Sequence, residues 1–259
     1  MDQLLKEKLI KLADKYENPE FIKKDPSQFL RWYPIEDKLN VEVAGFIAAM
    51  FAFGNRDQFN NRIRRILQLA DETSGSIYEW IISDAYKTTF EKGIKKYYRF
   101  YSYDDVHTFL GEIKYVLKEY KTIGDCIKER WEDIQEAQLG NIDLCDAISM
   151  TFPISKLVPR GKTTGNKKIQ MFLRWMVRQN SPVDVGFWDW YSPRDLLMPL
   201  DVHVMEEAKN LGLLPQEARA TRKTAKLLAE AFKEIWPEDP IKGDYALFGL
   251  GVDENREHK

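Results

Sequence analysis

Asp201 is the residue best placed to do chemistry. It follows Met198-Pro199-Leu200 and precedes Val202 and Val204, so its carboxylate stands in an apolar collar. A carboxylate in such a collar is partly desolvated, which is how it becomes able to work as a base. The same residue precedes an expected helix over 202–211, stopped by Gly212, and Asp is a favoured N-cap that needs no function. Upstream, residues 156–178 hold seven basic side chains and no acidic one, in a chain of net charge −2. Between the two lies the aromatic run Phe187-Trp188-Asp189-Trp190-Tyr191. Cations for phosphate, flat rings for a base and a carboxylate at the reacting centre are what chemistry on a nucleobase requires.

A helix beginning near Asn166 must position the basic run. Ile169, Phe172, Leu173, Met176 and Val177 fall at i, i+3, i+4, i+7 and i+8, a complete apolar stripe. Lys167, Arg174 and Arg178 fall at i, i+7 and i+11 on the opposite side, so the helix is expected to bury one face and offer a cationic one. Ahead of it, Pro159-Arg160-Gly161-Lys162-Thr163-Thr164-Gly165 sets two glycines and two threonines beside a helix N-terminus, where backbone N–H groups reach a phosphate. A solvated basic face is the alternative reading. His203 reads as a packed or capping histidine.

The rest of the chain reads as helices. Residues 3–16 are amphipathic. Asp25-Pro26-Ser27 starts a helix that Trp32-Tyr33-Pro34 ends. Asn40 caps an apolar helix over 41–53, which stops at Gly54-Asn55. The following helix sets Ile63, Ile66, Leu67 and Ala70 against Arg62, Arg64 and Arg65, leaving the turn 54–58 exposed. Shorter helices fill 75–150, with breaks at Gly124-Asp125 and Gly140-Asn141. Within them KKYYRFYSY (95–103) is either a stacking surface for nucleic acid or a core wall with tyrosine hydroxyls at its rim. Thr221 caps one further helix, and Asp239-Pro240 starts the last. The expected fold is all-α, with about twelve helices.

Composition narrows the classes. The 259 residues are 44% hydrophobic and 31% charged, an ordinary globular balance. The longest apolar run, residues 43–53, falls short of the roughly twenty needed to cross a bilayer. The charged N-terminus does not resemble a signal peptide, and the expected location is cytoplasmic. Cys126 and Cys145 are too few for an iron–sulfur cluster or a four-thiolate zinc site, and His107, His203 and His258 form no His-x-x-x-His pair. No metal site is legible and no cofactor is expected.

Leu200-Asp201-Val202-His203-Val204, after a basic glycine-containing hairpin and an amphipathic helix, resembles the signature of the helix-hairpin-helix DNA glycosylases. That superfamily includes the endonuclease III-like and 8-oxoguanine enzymes. Asn55-Arg56, the run Met171-Phe172-Leu173-Arg174-Trp175-Met176-Val177-Arg178, Pro199-Leu200-Asp201 and Asp244-Tyr245-Ala246-Leu247-Phe248 resemble the bacterial DUF2400 proteins over most of the chain. The glycosylase resemblance covers about residues 155–212. It implies a two-lobed helical bundle, one lobe near 41–150 and the other near 1–40 plus 151–259. It implies a base-excision glycosylase with abasic-site lyase activity, acting as a monomer on damaged double-stranded DNA, with an 8-oxoguanine-like base flipped out. Asp201 would be the catalytic carboxylate and Lys167 the nucleophile, with the adjoining Lys168 the alternative. Asn55 and Arg56 would fill the gap left by the base. Arg160, Lys162, Thr164, Gly165, Lys168, Arg174 and Arg178 would hold phosphates. Trp188 and Trp190 would sandwich the base, or else anchor a loop on the core. The hairpin departs from the usual Leu-Pro-Gly-x-Gly, and 34 residues separate Lys167 from Asp201. A non-catalytic nucleic-acid-binding module on the same fold is the alternative function.

Overall fold

Side-chain caps mark most of the helix starts. In the computed structural model, which describes residues 1–138 and 142–257, Asp2 accepts from the Leu5 N–H and opens α1 (Gln3–Tyr16). The expected helix at Asp25-Pro26-Ser27 is a 3₁₀ turn, Pro26–Arg31, capped by Asp25. Asp37, not Asn40, caps α2 (Lys38–Phe51). Asn40 instead accepts from the Tyr78 N–H at 2.8 Å. Asn55 caps α3 (Arg56–Ser74). Then come α4 (Ile77–Ile82), α5 (Tyr86–Thr89), β1 (Lys96–Tyr98), β2 (Tyr101–Ser102), α6 (Tyr103–Tyr120), α7 (Ile123–Glu136) and α8 (Leu144–Thr151). The last four helices are α9 (Lys167–Val177), α10 (Val202–Asn210), α11 (Arg222–Phe232) and α12 (Gly243–Glu257). Among the described residues the fold is all-α but for one two-stranded antiparallel ribbon.

The chain divides into two compact units. The middle unit is Lys24–Arg160, and the terminal unit joins Met1–Lys23 to Gly161–Lys259. The middle unit is built on α2, which is buried from Asn40 to Phe51 as its apolar run demands. Within that run Glu42 is buried, and its carboxylate accepts from the Ile123 and Gly124 N–H groups at 2.7 and 2.9 Å. That contact explains why the expected break at Gly124-Asp125 falls earlier: Thr122 caps α7, and Gly124 lies inside its first turn. The break expected at Gly140-Asn141 lies outside the described residues. Residues 96–102 form a β-hairpin, with Tyr97, Tyr98 and Tyr101 buried as a core wall.

In the terminal unit the two ends of the sequence meet. α12 packs against α1 and α10. Gly249 leaves room for the Tyr16 ring, since a Cβ there would stand 2.1 Å from it. Thr221 caps α11, as the spacing predicts. The last helix begins beyond Asp239-Pro240, because Pro240–Lys242 forms a 3₁₀ turn ahead of α12. Among the described residues no helix is long and apolar enough to cross a membrane.

Candidate functional site

The two carboxylate oxygens of Asp201 have different partners. Its Oδ1 accepts from the Val204 N–H at 2.8 Å and caps α10. Its Oδ2 stands 3.2 Å from Lys167 Nζ in an ion pair. The collar is present on three sides, since Met198, Leu200 and Val204 are buried, while Val202 is exposed. The Asp201 side chain is 13% exposed and that of Lys167 36%, so solvent reaches the pair from the lysine side. Lys167 opens α9 directly after Asn166, whose backbone is left-handed at φ 44°. Asn tolerates that region, and the turn it makes starts α9 at the lysine.

Lys168, the next residue, is half-buried. Burial alone pushes its ammonium down to about 7, because desolvation penalises the charged form. Asp244, in the first turn of α12, is buried. Burial pushes its carboxyl up to about 6; Arg174 opposes this, the Asp201 charge adds to it, and Lys167 opposes it. Asp244 is thus electrostatically joined to the Lys167–Asp201 pair, and it accepts from Arg174 Nη1.

Arg174 and Arg178 correct the expectation of a cationic stripe. Both are buried, at 6% and 2% exposure. Arg174 pairs with Asp244, and its Nε lies 3.4 Å from Asp184. Arg178 pairs with Asp184, donates from Nη2 to Glu17 at 2.8 Å, and grips Asp239 through Nε and Nη2. Burial alone would lower the Arg178 pKa, but Asp184 and Asp239 hold it well above the ordinary guanidinium value. Tyr245 donates to Asp184 at 2.9 Å and lies under both guanidinium groups. The physical reason for the correction is partner choice. Periodicity shows that these arginines leave the apolar stripe. It does not show that Asp184, Asp244 and Glu17 follow them inside, or that the half-exposed Asp239 closes over Arg178.

Residues 25–253 match DUF2400, described as a protein of unknown function. The chain belongs to the DUF2400 family. No curated protein and no solved structure matches it. The match places Lys167, Asp201, Arg174, Arg178 and Asp244 of this DUF2400 protein all within the family region, while α1, which supplies Glu17 just beyond its end, lies outside it.

The DUF2400 hairpin is closed on itself. Asn166 accepts from the Thr164 hydroxyl at 2.7 Å and donates to the Gly161 carbonyl at 3.1 Å. The Gly165 N–H donates to the Ala220 carbonyl, and the Asn166 N–H to Thr164 Oγ1. These two N–H groups are therefore committed within the protein, against the expectation that they grip a phosphate. Lys162 is exposed. Arg160, in the middle unit, donates to the carbonyls of Phe152 and Ser155 at 3.3 and 3.2 Å. Asn55 and Arg56 also belong to the middle unit, where the Asn55 carboxamide caps α3. Trp188 is buried edge-on to Phe172, and Trp190 stacks on it at 5.6 Å. Trp188 is thus a core anchor, and Trp190 is the half-exposed ring of the pair.

Asp184, Asp239, Asp244 and Glu17 were not legible as members of this site. Asp239 reads as a helix start and Asp244-Tyr245 as part of a family motif. Nothing in the sequence singles out Asp184 or Glu17.

Proposed function

We propose that the terminal unit is a DNA N-glycosylase with abasic-site lyase activity, Lys167 being its nucleophile and Asp201 its base. The observation that carries this reading is the 3.2 Å approach of Lys167 Nζ to Asp201 Oδ2 across 34 residues of sequence. A lysine attacks only as the free amine, and a carboxylate in contact with it can take the proton. In the proposed reaction Asp201 accepts a proton from Lys167. The amine then attacks the sugar C1′ as the C1′–N bond breaks, the departing base takes the proton that Asp201 holds, and Asp201, again a carboxylate, takes the proton that the new C1′ ammonium sheds. The C1′ adduct opens to a Schiff base, and loss of a C2′ proton expels the 3′ phosphate by β-elimination. Asp244 and Arg174 keep the charge around Asp201 fixed during these transfers.

The helix-hairpin-helix type of bundle, the damaged-DNA partner with an 8-oxoguanine-like base, and the monomeric state belong to this same proposal. A non-catalytic module on the same fold is the second reading. The closed hairpin and the two buried arginines withdraw phosphate contacts from both readings alike, so they leave the choice to the chemistry of Lys167 and Asp201.

Borohydride trapping on duplexes carrying 8-oxoguanine, uracil or an abasic site separates the two. The enzyme reading expects a covalent adduct that Lys167→Ala removes. No adduct and no base release on any of the three would leave the module.

A further inference from the structure

A second charged site lies in the middle unit, where α3 and the β1–β2 hairpin enclose an open cavity of about 430 Å³. Three cations line it: Arg62 from α3, and Lys96 and Arg99 from the hairpin. No aspartate or glutamate is among its described lining residues, and none of the three forms an ion pair with a carboxylate among the described residues. The buried rings of Tyr97 and Tyr98 form the wall. Their hydroxyls are already committed, donating to the carbonyls of Arg62 and Phe53. Asn61 accepts from Arg64 at 3.1 Å, so its contribution to a ligand is the donor end of its amide. Lys96 donates to the Phe100 carbonyl at 3.0 Å and has further N–H donors to give. Donors dominate this cavity, and an anion is the ligand that they suit.

Two further observations narrow the anion. Arg99 holds φ at 49°, the left-handed region that Gly or Asn occupies with least strain. A long cationic side chain at the tightest point of a hairpin costs backbone strain, and such strain marks functional positions. The next residue, Phe100, is 61% exposed although its ring is held between Phe53 and Tyr101 at 5.2 and 4.6 Å. An exposed ring held on the same hairpin as two of the three cations suits a phosphodiester strand, with phosphate on the cations and an unpaired base on the ring.

We propose that the β1–β2 hairpin with α3 is a binding site for single-stranded nucleic acid, phosphate resting among Arg62, Lys96 and Arg99 and a base stacking on Phe100. The site lies wholly in the middle unit and does not rest on the catalytic reading of Lys167 and Asp201.

The test is fluorescence anisotropy of the full-length protein with a labelled twelve-nucleotide oligodeoxynucleotide across a salt series. Arg62→Gln/Lys96→Gln/Arg99→Gly should weaken binding at least tenfold. It should also flatten the salt dependence, by about 0.7 in log–log slope for each phosphate no longer neutralised. Arg99→Gly alone should keep or raise the melting temperature while it weakens binding, because glycine relieves the left-handed position. Should the triple variant fail to fold, Lys96→Gln alone, at an exposed side chain, should still cost about threefold. Phe100→Ala should weaken a base-bearing strand and leave an abasic strand of equal length unchanged. Unchanged affinity in the folded charge variants would overturn the proposal. So would equal losses on both strands for Phe100→Ala, or equal affinity for a polyglutamate peptide of the same charge. Because no covalent chemistry is read, the result is separate from the trapping assay.

Discussion

At the residue scale, Asp201 was readable because its neighbours are local. The collar and the N-cap are both sequence-adjacent; the cap is present, and the collar is present except at the exposed Val202. The environment of Lys168 was not readable, because long-range packing encloses it. Its ammonium, pushed down to about 7 by burial, makes stability depend on pH. The unfolded chain holds that proton up to the ordinary lysine value, so folding releases it between about pH 7 and 10. The folded state therefore gains stability as pH rises through this window and loses it as pH falls toward 7. Lys168→Met removes this dependence. The variant should melt higher than the unaltered protein at pH 7, and the gap should close by pH 10, as read by calorimetry at each pH. A gap that is constant with pH would mean that Lys168 is not desolvated. Asp244 works the other way. Its carboxyl, pushed up to about 6 by burial, takes up a proton on folding between about pH 4 and 6, so its contribution falls as pH rises there.

At the element scale, α9 shows where pattern reading stops. Its apolar stripe was legible from residues 169–177 and is buried as expected. The same pattern sent Arg174 and Arg178 to the solvent, whereas the structure sends them inward. Asp184 lies only 6 residues from Arg178 but beyond the end of α9, where helical periodicity no longer applies; the other partners lie 61, 70 and 161 residues away, beyond any local window. The hairpin at 96–102 escaped for the opposite reason: its strands are too short to set up an alternating pattern. The buried network makes a sharp energetic prediction. Arg178→Leu leaves Asp184 enclosed with one cation fewer, and breaking a buried pair from one side costs about 3–5 kcal/mol. Urea unfolding should show that loss. A solvent-facing cationic stripe would lose under about 0.5 kcal/mol, and a value in that range would contradict the buried network.

At the scale of the whole molecule, the all-α character and most helix positions follow from capping residues and apolar periodicity, which are local signals. The terminal unit is assembled from both ends of the chain, residues 1–23 and 161–259. Glu17 and Asp239, contributed from those two ends, both meet Arg178 in the centre of that unit. Lys167 and Asp201 both come from the C-terminal segment of that unit, and the fold brings them together across 34 residues. The most direct measurement is peptide mapping by mass spectrometry after borohydride reduction on an abasic-site duplex. The account predicts a single sugar–phosphate adduct on Lys167, lost in Lys167→Ala and strongly reduced in Asp201→Asn. An adduct on Lys168 or on a middle-unit lysine, or no adduct at all, would contradict it.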